Sequence, residues 1–369
     1  MWFDVDRDGL AAILERRGKA FAIAELVSNA WDSGTATVEI SMIPQPGAPL
    51  VDVTVEDWGE GFEDLSHAYT MFAKSRRAGD AEKRGRFCLG EKLVLACCRK
   101  AVIRSTGGGV VFESGTRKHE RLRRTRGTEF TAEMRMTRAE YEDAVAFVRR
   151  MIPPVATTLN GEEIARPDSL CRFTARLQTE VADADGNLRR TMRQCEVEVY
   201  DGADGGELLE MGVPVVELDM PYRVNVLQKV PLNMDRDNVT PAYLKAIQAE
   251  VLNRVHHLLD AEQAADAWVA EASADARASE EAVGSVVRAR FGDRAVIATP
   301  GDPMANAAAE ANGYTVIPGG AMSSGAWANV RKANVLLPAS KVFPTMTPAQ
   351  RAEAAKAADA RCPMCGRSG

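Results

Sequence analysis

Glu25, Asn29 and Asp32 recur at i, i+4 and i+7 in a segment whose neighbouring positions Ile23, Leu26, Val27 and Ala30 are apolar. At 3.6 residues per turn this spacing stacks the three polar groups on one helical face, beside a stripe suited to a core. Polar groups inside a buried helix are costly unless hydrogen-bonded, so the face needs a polar ligand or water. A second cluster, Asp57-Trp58-Gly59-Glu60-Gly61, closes a β-rich run. Its two glycines allow positive φ and leave no side chain between backbone and ligand, so a strand ends in a ligand edge. A third, Gly85 to Lys92, opens the apolar helix expected over Leu93 to Cys98, whose first-turn amides are free to bind an anion such as phosphate.

The elements that must position these clusters follow in order. A helix is expected over Ala20 to Asp32, then paired strands Thr37 to Ile43 and Leu50 to Glu56 around the Pro44 to Pro49 loop, then a short helix from Leu65 to Phe72. Ala73 to Arg86 is charged, glycine-punctuated and without periodicity, and reads as a mobile lid. Strands at Ala101 to Ser105, Gly109 to Ser114, His119 to Arg124 and Thr128 to Met134, with a helix from Arg138 to Met151, complete an α+β sandwich over residues 1–152. Pro153-Pro154 marks a boundary. Beyond it, a hairpin around Asn160-Gly161, strands at Leu170 to Leu177, Gln194 to Tyr200, Gly212 to Leu218 and Arg223 to Val230, and a helix from Pro241 to Leu259 predict a smaller α+β domain over 153–260. The alanine-rich stretch Asp260 to Val286 reads as a connecting helix (connector 261–290), and Ala295 to Thr299, Ala305 to Asn312 and Tyr314 to Pro318 as a β-α-β piece in a C-terminal region, 291–369.

Glu25-Leu-Val-Ser-Asn29-Ala-Trp-Asp32, Asp57-x-Gly59-x-Gly61, Gly85 to Lys92 and Gly127-Thr128 resemble, in order and spacing, the four boxes of the GHKL ATPases, the superfamily of DNA gyrase, heat-shock chaperones, histidine kinases and MutL. The resemblance implies a Bergerat-type α/β sandwich over about residues 8–150, followed by a transducer-like α+β domain. It implies ATP as ligand, Glu25 as the general base that orients or deprotonates the attacking water, and Asn29 as an oxygen ligand to Mg2+; phosphoryl transfer needs a positioned nucleophile more than a strong base. Asp32 matches the box but can equally be a buried hydrogen-bond partner. Asp57 resembles the aspartate that accepts from the adenine amino group, with Gly59 and Gly61 letting the turn approach the base and Thr128 matching the threonine behind it. Lys74 resembles a chaperone lysine near the phosphates, and Gly85, Leu89, Gly90 and Glu91 belong to the phosphate loop. Cys88 stands where the family has a central glycine, which leaves that loop less free to take positive φ. Val224-Asn-Val-Leu-Gln-Lys229 is similar to the run before the γ-phosphate-sensing lysine of MutL, which makes Lys229 the candidate sensor or an ordinary strand-end lysine; the polar loop Asn233 to Asn238 lines a site or caps a helix. No Walker loop pattern is present, which argues against a P-loop NTPase.

Composition bounds the rest. A chain of 369 residues, 46% hydrophobic, is long enough for two or three cored domains. No apolar stretch approaches the about 18 residues of a membrane helix, and no apolar leader opens the chain, so a cytoplasmic location is expected. Seven scattered cysteines do not suggest a disulfide framework. Cys362-Pro-Met-Cys365 resembles half of a zinc knuckle without a second pair nearby, pointing to a disordered tail or a metal shared between chains. His256-His257 is no phospho-acceptor box, which disfavours a histidine kinase. A net charge of -6 argues against a protein that coats nucleic acid, yet Arg117 to Arg126 packs six basic residues around one glutamate, either a solvated strand face or a local anion or nucleic-acid contact. The combined expectation is an ATP-driven conformational switch that hydrolyses ATP with Mg2+, its lid closing and its second domain reading the γ-phosphate. It would dimerise with ATP bound and act on a client, DNA or protein, that the sequence leaves open. The alternative is a nucleotide-sensing interaction protein without significant turnover.

Overall fold

The computed structural model describes residues 18–62, 64–70, 81–84, 90–183, 188–203, 205–232 and 239–344, together with isolated positions nearer the termini. The chain divides into two compact units, Met1–Thr240 and Pro241–Gly369.

In the first unit, helix α1 (Lys19–Trp31) leads into the hairpin β1 (Thr37–Pro44) and β2 (Leu50–Asp57). A single 3-10 turn, Leu65–Ala68, stands within the longer helix expected from 65 to 72; residues 71 and 72 lie outside the described residues. Helix α2 (Gly90–Cys97) precedes β3 (Cys98–Ser105), β4 (Gly108–Glu113), β5 (Thr116–Glu120) and β6 (Thr128–Arg135), and helix α3 (Arg138–Arg150) is followed by β7 (Ala156–Leu159) and β8 (Glu162–Glu163). These eight strands form one sheet in the order β5-β4-β3-β6-β2-β1-β7-β8. Alternation builds it: Val38, Ile40 and Met42 of β1, Val51, Val53 and Val55 of β2, and Phe130, Ala132 and Met134 of β6 turn inward, while the residues between them face out. Ala22, Ile23, Leu26, Val27 and Ala30 of α1 and Ala144 and Val148 of α3 cover that face and join the same core. Thr137 starts α3 with a capping box closed by Glu140, a device that contributes about 1 kcal/mol.

The basic strand sits earlier than expected, at 116–120 rather than 119–124. Ser114 and Gly115 both take positive φ (50° and 72°) and make the two-residue turn that pairs Glu113 with Thr116, so the hairpin geometry sets the register.

A second sheet, β12-β11-β13-β10-β9, is built from β9 (Cys171–Ala182), β10 (Leu188–Asp201), β11 (Gly206–Glu210), β12 (Val213–Leu218) and β13 (Tyr222–Val226). Strands β9 and β10 run well past the expected segments. Their polar extensions pair with each other and are laced by Arg189–Asp183 and Arg190–Glu180, which needs no apolar alternation. Strand β11, not foreseen, is Gly-Glu-Leu-Leu-Glu and lies parallel to β13. Its core-directed pair Leu208-Leu209 is too short a run to read as a strand from periodicity.

The second unit is mainly helical: α4 (Pro241–Val255), α5 (Ala267–Ala274), α6 (Glu280–Phe291), β14 (Ala295–Ile297), α7 (Pro303–Ala311), β15 (Thr315–Ile317), α8 (Ser324–Ala333) and α9 (Ala339–Val342). The expected connecting helix is instead two helices. Ser279 accepts from Ala282 N and starts α6 anew, and both helices bury side chains, Trp268 and Val269 on α5, Val283 and Val287 on α6. The alanines serve close helix packing rather than a solvated span. Strands β14 and β15 pair in parallel across α7, the expected β-α-β piece. No helix among the described residues is long and apolar enough to cross a membrane.

Candidate functional site

Between α1 and the covered face of the large sheet lies a cavity with an empty volume of about 590 Å³, part of it open to solvent. Leu26 from α1, Val55 from β2, Ile103 from β3 and Phe130 from β6 form its apolar wall; Asn29, Asp57, Gly61 and Thr128 supply its polar groups. A mostly apolar recess with a few convergent polar groups is the usual form of a small-molecule site.

Asp57 is its anchor. Strand β2 ends there, opposite Thr128 of β6 and Val38 of β1. Its side chain is buried. Oδ1 accepts from Ser33 Oγ at 2.9 Å and from Gly59 N at 2.8 Å. Burial raises the Asp57 carboxyl above the usual carboxylate range, against the opposing pull of the Gly59 amide, the Ser33 hydroxyl, the Thr128 amide and Arg124.

The glycines of the turn do different work. Gly61 takes φ +75°, as expected. Gly59 has no positive φ; it is needed because a Cβ there would lie 2.2 Å from Ser33 Oγ, so the gain is close approach to the loop after α1 rather than backbone freedom. Gly127 does both, with φ +70° and a would-be Cβ 1.9 Å from the Asp57 carbonyl. Its amide donates to Gly59 O at 2.9 Å.

Ser33 and Ser105 were not foreseen. Ser105, fully buried at the end of β3, accepts from Phe62 N at 2.7 Å and lies 3.0 Å from Thr128 Oγ1. It ties the turn at Gly61-Phe62 to the cavity wall. Neither serine stands in a motif, and their roles arise from contacts 24 and 23 residues away in sequence, Ser33 to Asp57 and Ser105 to Thr128.

The polar face of α1 divides. Glu25 and Asn29 are half-buried one turn apart, and Asn29 reaches the cavity. Asp32 lies just past the end of α1 and does not line the cavity; its buried carboxylate takes Arg84, through Nη1 at 2.7 Å and the backbone amide at 2.8 Å. Arg84 also donates from Nε and Nη2 to the Met211 carbonyl and stacks over Trp31, 5.0 Å from the ring centre. Asp32 is thus engaged by the protein itself through Arg84. Lys229 is fully buried in the segment after β13. Its amide donates to Ala81 O at 2.9 Å and its carbonyl accepts from Thr179 Oγ1, so it meets the 81–84 segment and is not part of the cavity lining.

Lys74, Gly85, Cys88 and Leu89, most of the expected lid, the Asn233 to Asn238 loop and the Cys362/Cys365 pair lie outside the described residues. Gly90 and Glu91 open α2, with their side chains likewise outside the description. Among the described residues no group of three or more His, Cys, Asp or Glu stands ready to hold a metal ion.

The model of the family described as histidine kinase-, DNA gyrase B-, and HSP90-like ATPase matches residues 18–142, the segment that runs from the start of α1 into α3 and contains the whole cavity. No curated protein matches the chain. Residues 18–142 are therefore similar to the ATPase domain of the histidine kinase, gyrase B and HSP90-like family, the GHKL superfamily, which supports ATP binding by this part of the chain.

Proposed function

We propose that the chain is a Mg2+-dependent ATPase that works as a conformational switch, with adenine seated in the cavity between α1 and the sheet. The observation that carries this reading is Asp57, a buried carboxylate fixed by Ser33 and Gly59 at the end of a mostly apolar recess. A carboxylate acceptor there matches the amino group of adenine and faces the carbonyl of guanine unfavourably. Gly61 and Thr128 flank the base. Glu25 orients the attacking water, and the positioned carboxylate acts as general base.

Magnesium suits the donors available. It keeps several waters and takes only one or two protein oxygens besides phosphate, and Asn29 offers one carboxamide oxygen at the cavity without a cluster of carboxylates. When bound, the ion would neutralise phosphate charge. The phosphates are assigned to the first-turn amides of α2 and the Gly85 to Glu91 segment on the resemblance of that segment to the family's phosphate loop. Lys74 and Lys229 are the cations assigned to them, Lys229 reading the γ-phosphate from the side of the second sheet.

Thermal unfolding with each nucleotide tests the assignment. ATP with Mg2+ should raise the unfolding temperature while GTP does not, and Asp57→Asn should lose the ATP effect. Equal stabilisation by both nucleotides would remove Asp57 from the base site. The non-hydrolysing alternative is separated by steady-state turnover in wild type and Glu25→Ala.

A further inference from the structure

The run from Arg117 to Arg126 is not used by the nucleotide reading, on which nothing below depends. It begins on β5, the edge strand of the eight-stranded sheet, and continues through the segment that leads to Gly127 and β6. Several other surface arginines of this unit meet carboxylates, Arg138 with Glu142, Arg149 with Glu162, Arg189 with Asp183. Within the run, Arg124 pairs with Glu56 at 2.6 Å and Arg117 lies over the Tyr69 ring, 3.8 Å from its centre. Lys118, Arg121, Arg123 and Arg126 are exposed and have no carboxylate at ion-pair distance among the described residues. Leu122, 63% exposed, stands among them. Charges on β5 itself guard the sheet edge against pairing with another strand, but Arg121, Arg123 and Arg126 lie beyond the end of β5, where unpaired like charges repel one another and disfavour the compact state. Nor is the segment a loose tail: Arg124 N donates to Ser105 O at 3.1 Å and Gly127 N to Gly59 O, which holds the charges in place at both ends.

We propose that β5 and the 121–126 segment form a docking edge for a nucleic-acid strand, gripped through its phosphate backbone. Arginine dominates the free cations, and its planar fork matches phosphate oxygens and stacks on bases as lysine cannot. Leu122 adds apolar surface for sugar or base. The footprint is short, because the cations of the strands next to this edge are already paired, Lys100 of β3 with Glu113 of β4 and Arg104 of β3 with Glu120 and Glu129. Contact is thus confined to the edge, with about four phosphates neutralised. An acidic protein segment is the competing occupant, and the test separates the two.

The experiment is fluorescence anisotropy of a labelled single-stranded oligonucleotide, and of the matching duplex, with the full chain between about 50 and 200 mM salt. Binding should weaken with salt along a log-log slope near -3 for the single strand, the value for about four phosphates. Arg121→Glu/Arg123→Glu/Arg126→Glu should bind at least about tenfold more weakly with a flatter slope, at an unchanged unfolding temperature; Arg121→Gln/Arg123→Gln/Arg126→Gln serves if the reversal does not fold. Absence of binding at the lowest salt, or equal binding by the folded variant, overturns the proposal. Displacement of the oligonucleotide by poly-glutamate as readily as by unlabelled oligonucleotide also overturns it, and assigns the edge to an acidic protein.

Discussion

Asp57 costs the fold something. A buried carboxylate with its proton affinity raised by desolvation is kept only where its hydrogen bonds and a ligand offset the penalty. Ser33 and Gly59 hold its Oδ1 while Gly127 packs against its backbone carbonyl, and the steric margin is small enough that no side chain fits at either glycine. In the proposed function specificity is assigned to Asp57 and turnover to Glu25 on the facing helix. We predict that Glu25→Ala still binds ATP but hydrolyses it at least about tenfold more slowly, the low end of what a general base contributes. A wild-type rate from Glu25→Ala, measured as phosphate release under saturating ATP, would place the base elsewhere.

Among the elements, the second sheet carries a buried ionic centre. Glu198 on β10 accepts from Tyr200 OH at 2.7 Å and Asn225 Nδ2 at 2.9 Å, and pairs with Arg166 and Arg172. Asn225 passes the chain on, its Oδ1 accepting from Gly212 N, next to the Met211 carbonyl that Arg84 grips. Burial pushes the Glu198 carboxyl up, but the hydrogen bonds from Tyr200 and Asn225 and the arginine charges outweigh it, so its proton affinity falls below the ordinary value. A carboxylate shifted in this direction contributes stability above its ordinary pKa of 4.5 and loses it as pH falls through the lower folded value. Glu198→Gln should accordingly be less stable near neutral pH by about 1–3 kcal/mol, the usual loss for a buried charge-assisted bond. The gap from wild type should narrow below pH 4.5. A constant gap in urea denaturation across that range would show that Glu198 does not titrate with unfolding.

At the scale of the first unit, the 81–84 segment touches both sheets' territories: Arg84 reaches Asp32 at the end of α1 and Met211 before β12, and Ala81 receives the Lys229 amide. A ligand shifts such an arrangement only if it binds one state better. If Lys229 reads the γ-phosphate, a non-hydrolysable ATP analogue should compact the protein, protect the Lys83 to Arg86 region from trypsin and favour a symmetric dimer. Lys229→Ala should abolish that response with ADP binding nearly intact. Lys229→Met, which keeps the buried stem, guards against simple destabilisation. Identical digestion and sedimentation with ADP and the analogue in wild type would sink the switch and leave nucleotide sensing without motion in front.

Much of this was written in short spacings. The i, i+4 pair Glu25 and Asn29, the Asp-x-Gly-x-Gly turn and the alternating strands β1, β2 and β6 are local patterns, and local patterns are what backbone geometry and burial impose on neighbouring residues. Tertiary structure decided the rest. Asp32 follows the same helical spacing, and its bonds to Arg84 could not be read from it, because α1 ends at Trp31 and the chain that passes there arrives from 52 positions further on. Ser33 and Ser105 are ordinary serines until Asp57, Phe62 and Thr128 are brought beside them. Strand β11 exists only by pairing with β12 and β13. The alanine-rich stretch after residue 260 became two core helices rather than one exposed span, since burial depends on what packs against a helix and not on its own composition. Chemistry that rests on residue type and local spacing is legible in a sequence; which of those residues meets the ligand and which meets the protein is settled by contacts between segments far apart in the chain.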